Sequence, residues 1–143
     1  MPKISFFEED IHYNLKEKIK VKQWIKDTIA AEGYKLDELT YIFCSDAYLL
    51  KINQQYLDHD TYTDIITFDN SSEDKVITGD IFISIERIRE NAAKFYQSVT
   101  DELHRVIIHG ALHLLGYKDK TAADSKNMTQ MEDKYLEKRA FNV

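Results

Sequence analysis

The segment HGALHLLGYKD, positions 109 to 119, restricts the fold more than any other stretch. His109 and His113 stand four apart, which on a helix stacks two side chains on one face with Cβ atoms about 5–6 Å apart. Leu112, Leu114 and Leu115 surround them with apolar surface that a globular chain tends to bury. Gly116 follows, a residue that takes positive φ at little cost and so ends a helix and turns the chain back. Asp119 comes three residues later. A helix, a turn and a returning carboxylate can bring three donors to one place. Two imidazole nitrogens reach one ion at about 2.0–2.1 Å each, the usual zinc–nitrogen distance. Three protein ligands leave one tetrahedral position open, the arrangement of catalytic rather than structural zinc. The expected site is one Zn2+ per chain, held by His109 Nε2, His113 Nε2 and a carboxylate oxygen of Asp119. The plain alternative is a surface helix with two unrelated histidines, which leaves the glycine and the aspartate at ligand spacing unexplained.

The spacing H-x-x-x-H-x-x-G-x-x-D matches the metzincin proteases except at two positions. Gly110 stands where those enzymes carry the glutamate that activates water, and Asp119 stands where they carry a third histidine. Glycine cannot act as a base, so a peptidase is the weaker reading of this spacing.

HGALHLLGYKD also resembles the H-G-x-L-H-L-x-G-Y-D-H signature of the YbeY family, metal-dependent endoribonucleases of ribosomal RNA maturation. NQQYLDHDTYTDIITF, from Asn53 to Phe68, is similar to that family's N-x-x-Y-R-x-x-D-x-x-T-D-V-L-S-F stretch. GDIFIS, from Gly79 to Ser84, is similar to its G-D-[IL]-x-I strand. The three blocks stand in the family's order and cover most of the chain. Two positions depart from the pattern. Asp119 replaces the third histidine of most members, which keeps a ligand but exchanges nitrogen for oxygen. Leu57 lies where most members have an arginine tied to catalysis. The resemblance implies an RNA substrate, ribosomal RNA or the ribosome as partner, and Asp64, Thr67 and Asp80 near the site.

Composition bounds the rest. A chain of 143 residues suits one domain, 1–143, around a single core. Four glycines and one proline leave no place for a long flexible linker. No apolar run approaches the ~18–20 residues that a membrane span needs. The start, MPKISFFEEDIHY, puts acids directly after a short apolar run, unlike a signal peptide. Cys44 is the single cysteine and reads as a buried strand residue in a reducing cytosol, so a cytoplasmic location is expected. A net charge of −6 argues against broad non-specific nucleic-acid binding, so a nuclease of this charge needs a local basic face.

Lys3 to Phe7 reads as a first strand. A helix from about Leu15 to Ala31 places Leu15, Ile19, Trp24, Ile25 and Ile29 near one face. Lys16, Lys18, Lys20, Lys22 and Lys26 crowd its remaining surface. Lys18, Lys22 and Lys26 repeat every four residues and form one stripe, the candidate contact for an RNA backbone. A solvated face that touches nothing is the plain alternative. Leu36 to Ser45 is a second strand, and Asp46 is expected to cap a helix through Tyr56 that turns Leu49, Leu50 and Ile52 inward. His59 lies in the polar loop that follows and reads as solvent-exposed. Asp64 to Phe68 and Thr78 to Ser84 form an antiparallel pair. Ser84 caps a helix through about Gln97, with Arg87 and Arg89 outward. Ser98 or Thr100 opens the histidine helix, whose buried stripe is Leu103, Val106, Ile107, Gly110, Ala111 and Leu114. His104 lies about 140° round that helix from His109 and is not expected to ligate. Thr121 opens a last helix to about Arg139, with Met128, Met131, Tyr135 and Leu136 as core. The order β-α-β-α-β-β-α-α-α predicts an α+β domain: a small mixed four-stranded sheet with helices packed over it, and the metal site on a helix and the loop following it.

Three function classes fit these residues. The first is a zinc-dependent, single-strand-specific endoribonuclease of ribosomal RNA maturation, with Asp64 and Asp80 as candidates for the general base. The second is a metzincin-like metallopeptidase. The third is a ribosome-associated protein whose metal is structural.

Overall fold

Runs of β-branched and aromatic residues form the strands, and apolar residues at helical spacing form the helices. In chain order these are β1 (Lys3–Glu9), α1 (Lys18–Ala31), β2 (Lys35–Cys44), α2 (Asp46–Leu57), β3 (Ile65–Asp69), β4 (Val76–Ser84), α3 (Ile85–Lys94), α4 (Val99–Leu114) and α5 (Ala122–Glu137). They come from a computed structural model that describes residues 2–57 and 63–139. His59 lies outside the described residues. One sheet holds the strands in the order β1-β2-β4-β3. β1, β2 and β4 run parallel, and β3 is antiparallel to β4. This is the mixed four-stranded sheet that the element pattern predicts. None of the described helices is long and apolar enough to cross a membrane.

Successive strand side chains point to opposite faces. Ile77, Ile81 and Ile83 of β4 join Trp24, Ile25, Leu103 and Ile107 in the main core, under α1, α3 and α4. On the other face Phe82 meets Ile66, Phe68 and Leu49, the last from α2. Cys44 is buried in this second cluster, and burial raises its thiol pKa to about 12. α4 lies close on β3 and β4 because Gly110 and Gly79 present no side chain there. A Cβ on Gly110 would come within 3.0 Å of Ile65 and Ile81 side-chain carbons. Tyr41 Oη donates to the Ile107 carbonyl at 2.8 Å and ties α4 to β2.

Three details depart from the sequence expectations. Ile19 is 84% exposed rather than core. Glu17 is left-handed at φ 58°, so α1 starts only at Lys18, and its buried residues are Val21, Trp24, Ile25, Thr28 and Ile29. Ile19 is two residues, about 200°, from Val21 and points away from that face. At α2 the cap is Ser45, whose Oγ accepts from Tyr48 N at 3.0 Å. Asp46 is then free to take Arg87 Nη2 at 2.8 Å, so Arg87 is half-buried in an ion pair rather than outward.

His104 is 3% exposed and lies against Trp24, with its Nδ1 2.9 Å from Arg139 Nη1. Burial, reinforced by the Arg139 charge, lowers its pKa to about 4. In the unfolded chain the imidazole takes its proton near the ordinary value of about 6.5. Between these two values the unfolded state binds more protons, so stability is full above about pH 6.5 and is lost as pH falls toward 4. The loss should reach about 3 kcal/mol, at 1.36 kcal/mol per pKa unit. Urea unfolding between pH 4 and 8 checks this against His104→Asn, whose amide oxygen can replace Nδ1 as acceptor. The variant should lack that part of the slope; parallel curves would contradict the assignment.

Candidate metal centre

The end of α4 builds the site. Gly116 takes φ +100°. Its N–H donates to the His113 carbonyl at 3.0 Å, and Tyr117 N–H donates to the Leu112 carbonyl at 3.1 Å. This pair of bonds is the Schellman closure, which reverses the chain. Tyr117 Oη then donates to Glu32 at 2.6 Å and pins the loop to the end of α1. Ser125 Oγ donates to the Asp119 carbonyl at 3.2 Å, which holds Asp119 against the start of α5. Thr121 caps α5 as the sequence predicts, accepting from Asp124 N at 3.0 Å.

The result is convergence. Asp119 Oδ2 lies 3.3 Å from His113 Nε2 and 3.5 Å from His109 Nε2. The three donor atoms all lie within 4.8 Å of one another. Two ligands at about 2.0–2.1 Å from a tetrahedral ion stand about 3.3–3.4 Å apart. The donor set and its spacing therefore fit one tetrahedral divalent ion.

Behind His109 stands Glu132 of α5. Its Oε2 is 2.6 Å from His109 Nδ1, and its Oε1 accepts from Arg105 Nη1 at 2.8 Å. Burial alone would lower the His109 pKa. The Glu132 hydrogen bond and charge, with the charges of Asp119 and Asp64, outweigh burial and raise it. The histidines open onto a cleft of about 390 Å³ between β3, α4 and α5. Asp64, Thr67, Glu102 and Arg105 line it with them. Burial raises the carboxyl pKa of Asp64. Burial and the neighbouring Asp64 charge do the same for Glu102.

Of the residues singled out in the sequence, His109, His113 and Asp119 come together, and Asp64 and Thr67 line the same cleft. Asp80 does not join them. Strand alternation puts it on the face of Phe82 and α2, in register with Thr40 and Phe68, and its carboxylate takes Asn70 Nδ2 at 3.1 Å. The lysine stripe is also distant. Lys22 Nζ sits 5.9 Å from the Phe6 ring centre, and Lys18 borders a hollow with Phe6 and Phe7, so both lie by β1. β1 and β3 are opposite edges of the sheet, three strand spacings of about 4.8 Å apart. Glu102, Arg105 and Glu132 are the site residues that sequence reasoning missed. Glu102 is seven residues before His109, two turns back on the same face of α4. Glu132 is a charged residue at a core position, between Met128 and Tyr135 in the buried set of α5.

The family model described as Endoribonuclease YbeY matches residues 4–140. The Endoribonuclease YbeY of Cytophaga hutchinsonii is 51% identical over 138 residues, which cover 96% of each chain. That of Flavobacterium psychrophilum is 50% identical over 137 residues, again 96% of each chain. The solution structure of TM1509 from Thermotoga maritima matches with a TM-score of 0.66 at 29% identity, covering 94% of this chain and 87% of that one. With the family match spanning nearly the whole chain and about half of the residues shared with curated relatives, the chain belongs to the YbeY family of endoribonucleases.

Proposed function

We propose that the chain is a zinc-dependent endoribonuclease that cuts single-stranded RNA in ribosomal RNA maturation, with His109, His113 and Asp119 as the metal ligands. The observation that supports it most is the ligand spacing of these three donors at the mouth of a cleft. Imidazole donors favour zinc and neighbouring transition metals over magnesium or calcium. A divalent ion bound there supplies Lewis acidity toward a phosphoryl oxygen. Asp64 is the proposed proton acceptor, because it shares the cleft with the histidines while Asp80 faces away. A cleft of about 390 Å³ is on the scale of a small-ligand pocket. That size suits a nucleotide splayed from a single strand better than a stacked duplex.

The test offers the purified protein unpaired RNA, paired RNA and a casein-type peptide, with and without chelator. Cleavage confined to unpaired RNA and lost with chelator is expected. Chelator-sensitive digestion of the peptide with RNA intact would favour the peptidase. RNA bound but uncut at every zinc concentration would favour a ribosome-associated protein without catalysis.

Lys18, Lys22 and Lys26 are proposed to touch RNA flanking the cut, since the stripe lies by β1 and away from the cleft. In the triple glutamine variant each lost phosphate contact should reduce the slope of log K against log salt by roughly 0.7. The cleavage rate at saturating RNA should stay unchanged. An unaltered salt slope would leave the stripe as a solvated face.

A further inference from the structure

We propose that Glu132 is a positioning residue of the metal centre: its carboxylate holds His109 with Nδ1 protonated and leaves Nε2 as the ligand atom. The inference rests on the metal reading above. Glu132 is 7% exposed. It occupies a core position of α5, where a carboxylate is unfavourable unless both oxygens are partnered. Both are partnered: Oε2 faces His109 Nδ1 at 2.6 Å and Oε1 takes Arg105 Nη1 at 2.8 Å. Arg105 is fixed in turn by Asp133, which accepts from its Nη2 at 2.6 Å. The carboxylate is thus oriented from one side and orients the imidazole on the other.

The charge decides the tautomer. With the proton on Nδ1, His109 donates to Glu132 and its Nε2 lone pair faces the open side, 3.5 Å from Asp119 Oδ2. With the proton on Nε2, two lone-pair atoms would meet at the Glu132 contact, in a site where burial strengthens the repulsion. A carboxylate behind a ligating histidine fixes the ring and raises its basicity, and loss of such a partner typically lowers metal affinity about 10–100-fold.

Two readouts test this in the full chain. Long-range proton–nitrogen NMR of the imidazoles at alkaline pH reads the tautomer directly and needs no metal. His109 should be the Nδ1–H form in the wild type, and Glu132→Ala should shift it toward Nε2–H. Competition for zinc against a chromophoric chelator should show affinity lowered about 10–100-fold in Glu132→Ala. Glu132→Gln keeps an acceptor oxygen but loses the charge, so it should fall between the two. An unchanged tautomer in Glu132→Ala, or zinc affinity equal to the wild type, would overturn the proposal. If the alanine variant does not fold, the near-isosteric glutamine variant decides: zinc affinity equal to the wild type overturns the proposal. Wild-type protein that binds no zinc would sink the metal reading, and the tautomer measurement would still decide the role of Glu132.

Discussion

His113→Ala should fold normally, lose its stoichiometric zinc and cut RNA at least about a thousandfold more slowly. The rate follows from several kcal/mol of Lewis-acid stabilisation at 1.36 kcal/mol per decade. The fold should survive because the His113 side chain is 28% exposed at the last turn of α4 and leaves no core cavity when truncated. Its Nε2 is 3.3 Å from Asp119 Oδ2, so its removal takes one of three donors from the set. Metal analysis of dialysed protein, thermal unfolding and an RNA cleavage rate check the three parts separately. Full metal retention in the variant would overturn the ligand assignment.

Gly79→Ala should be among the most destabilising single-methyl additions in the chain. The new Cβ would lie 2.6 Å from the Phe68 carbonyl oxygen and 3.1 Å from Leu114 Cδ1. The oxygen belongs to the backbone of β3, so no rotamer change relieves the contact, and β3 or α4 must shift. Overpacking of this kind typically lowers stability by 1–3 kcal/mol, and about 3 kcal/mol is expected here. Gly110→Ala should be milder. Its contacts, at 3.0 Å, are to the side chains of Ile65 and Ile81, which can give a few tenths of an ångström. Alanine also gains about 1 kcal/mol of helix propensity over glycine. Gly110→Glu should unfold the protein, because that position faces the sheet and a carboxylate there would be buried without a partner. The same geometry explains why the glutamate of a metzincin has no room at position 110. Urea midpoints for the three variants check the ranking; a Gly79→Ala midpoint equal to the wild type would contradict the packing described.

The convergence of His109, His113 and Asp119 was legible in the sequence because its geometry is local. An i, i+4 pair and a glycine stop confine His109, His113 and Asp119 to one helix end and one turn. Glu132 was not legible, since its contact with His109 spans 23 residues and exists only through the packing of α5 on α4. Asp80 shows a middle case. The alternation of Gly79, Ile81 and Ile83 was visible in the sequence, but the face covered by α4 was not, and that alone decides where Asp80 points. The sheet was readable from its β-rich runs and their order. Ile19 was misplaced for a different reason: at about 100° per residue it lies roughly 200° from Val21, off the buried face wherever α1 begins, so the spacing itself carried the answer. Ser45 and Asp46 are both good caps, and adjacent candidates of equal propensity leave a one-residue ambiguity that tertiary partners settle. Here Arg87 takes Asp46 and Ser45 takes the cap.

Metal-free protein titrated with zinc while it cuts an unpaired RNA joins the site to the reaction in one experiment. Activity should rise in proportion to added zinc and break at one ion per chain. Full cleavage by the metal-free protein, or a saturated site with no gain in cleavage, would contradict the assignment of catalysis to a metal held by His109, His113 and Asp119.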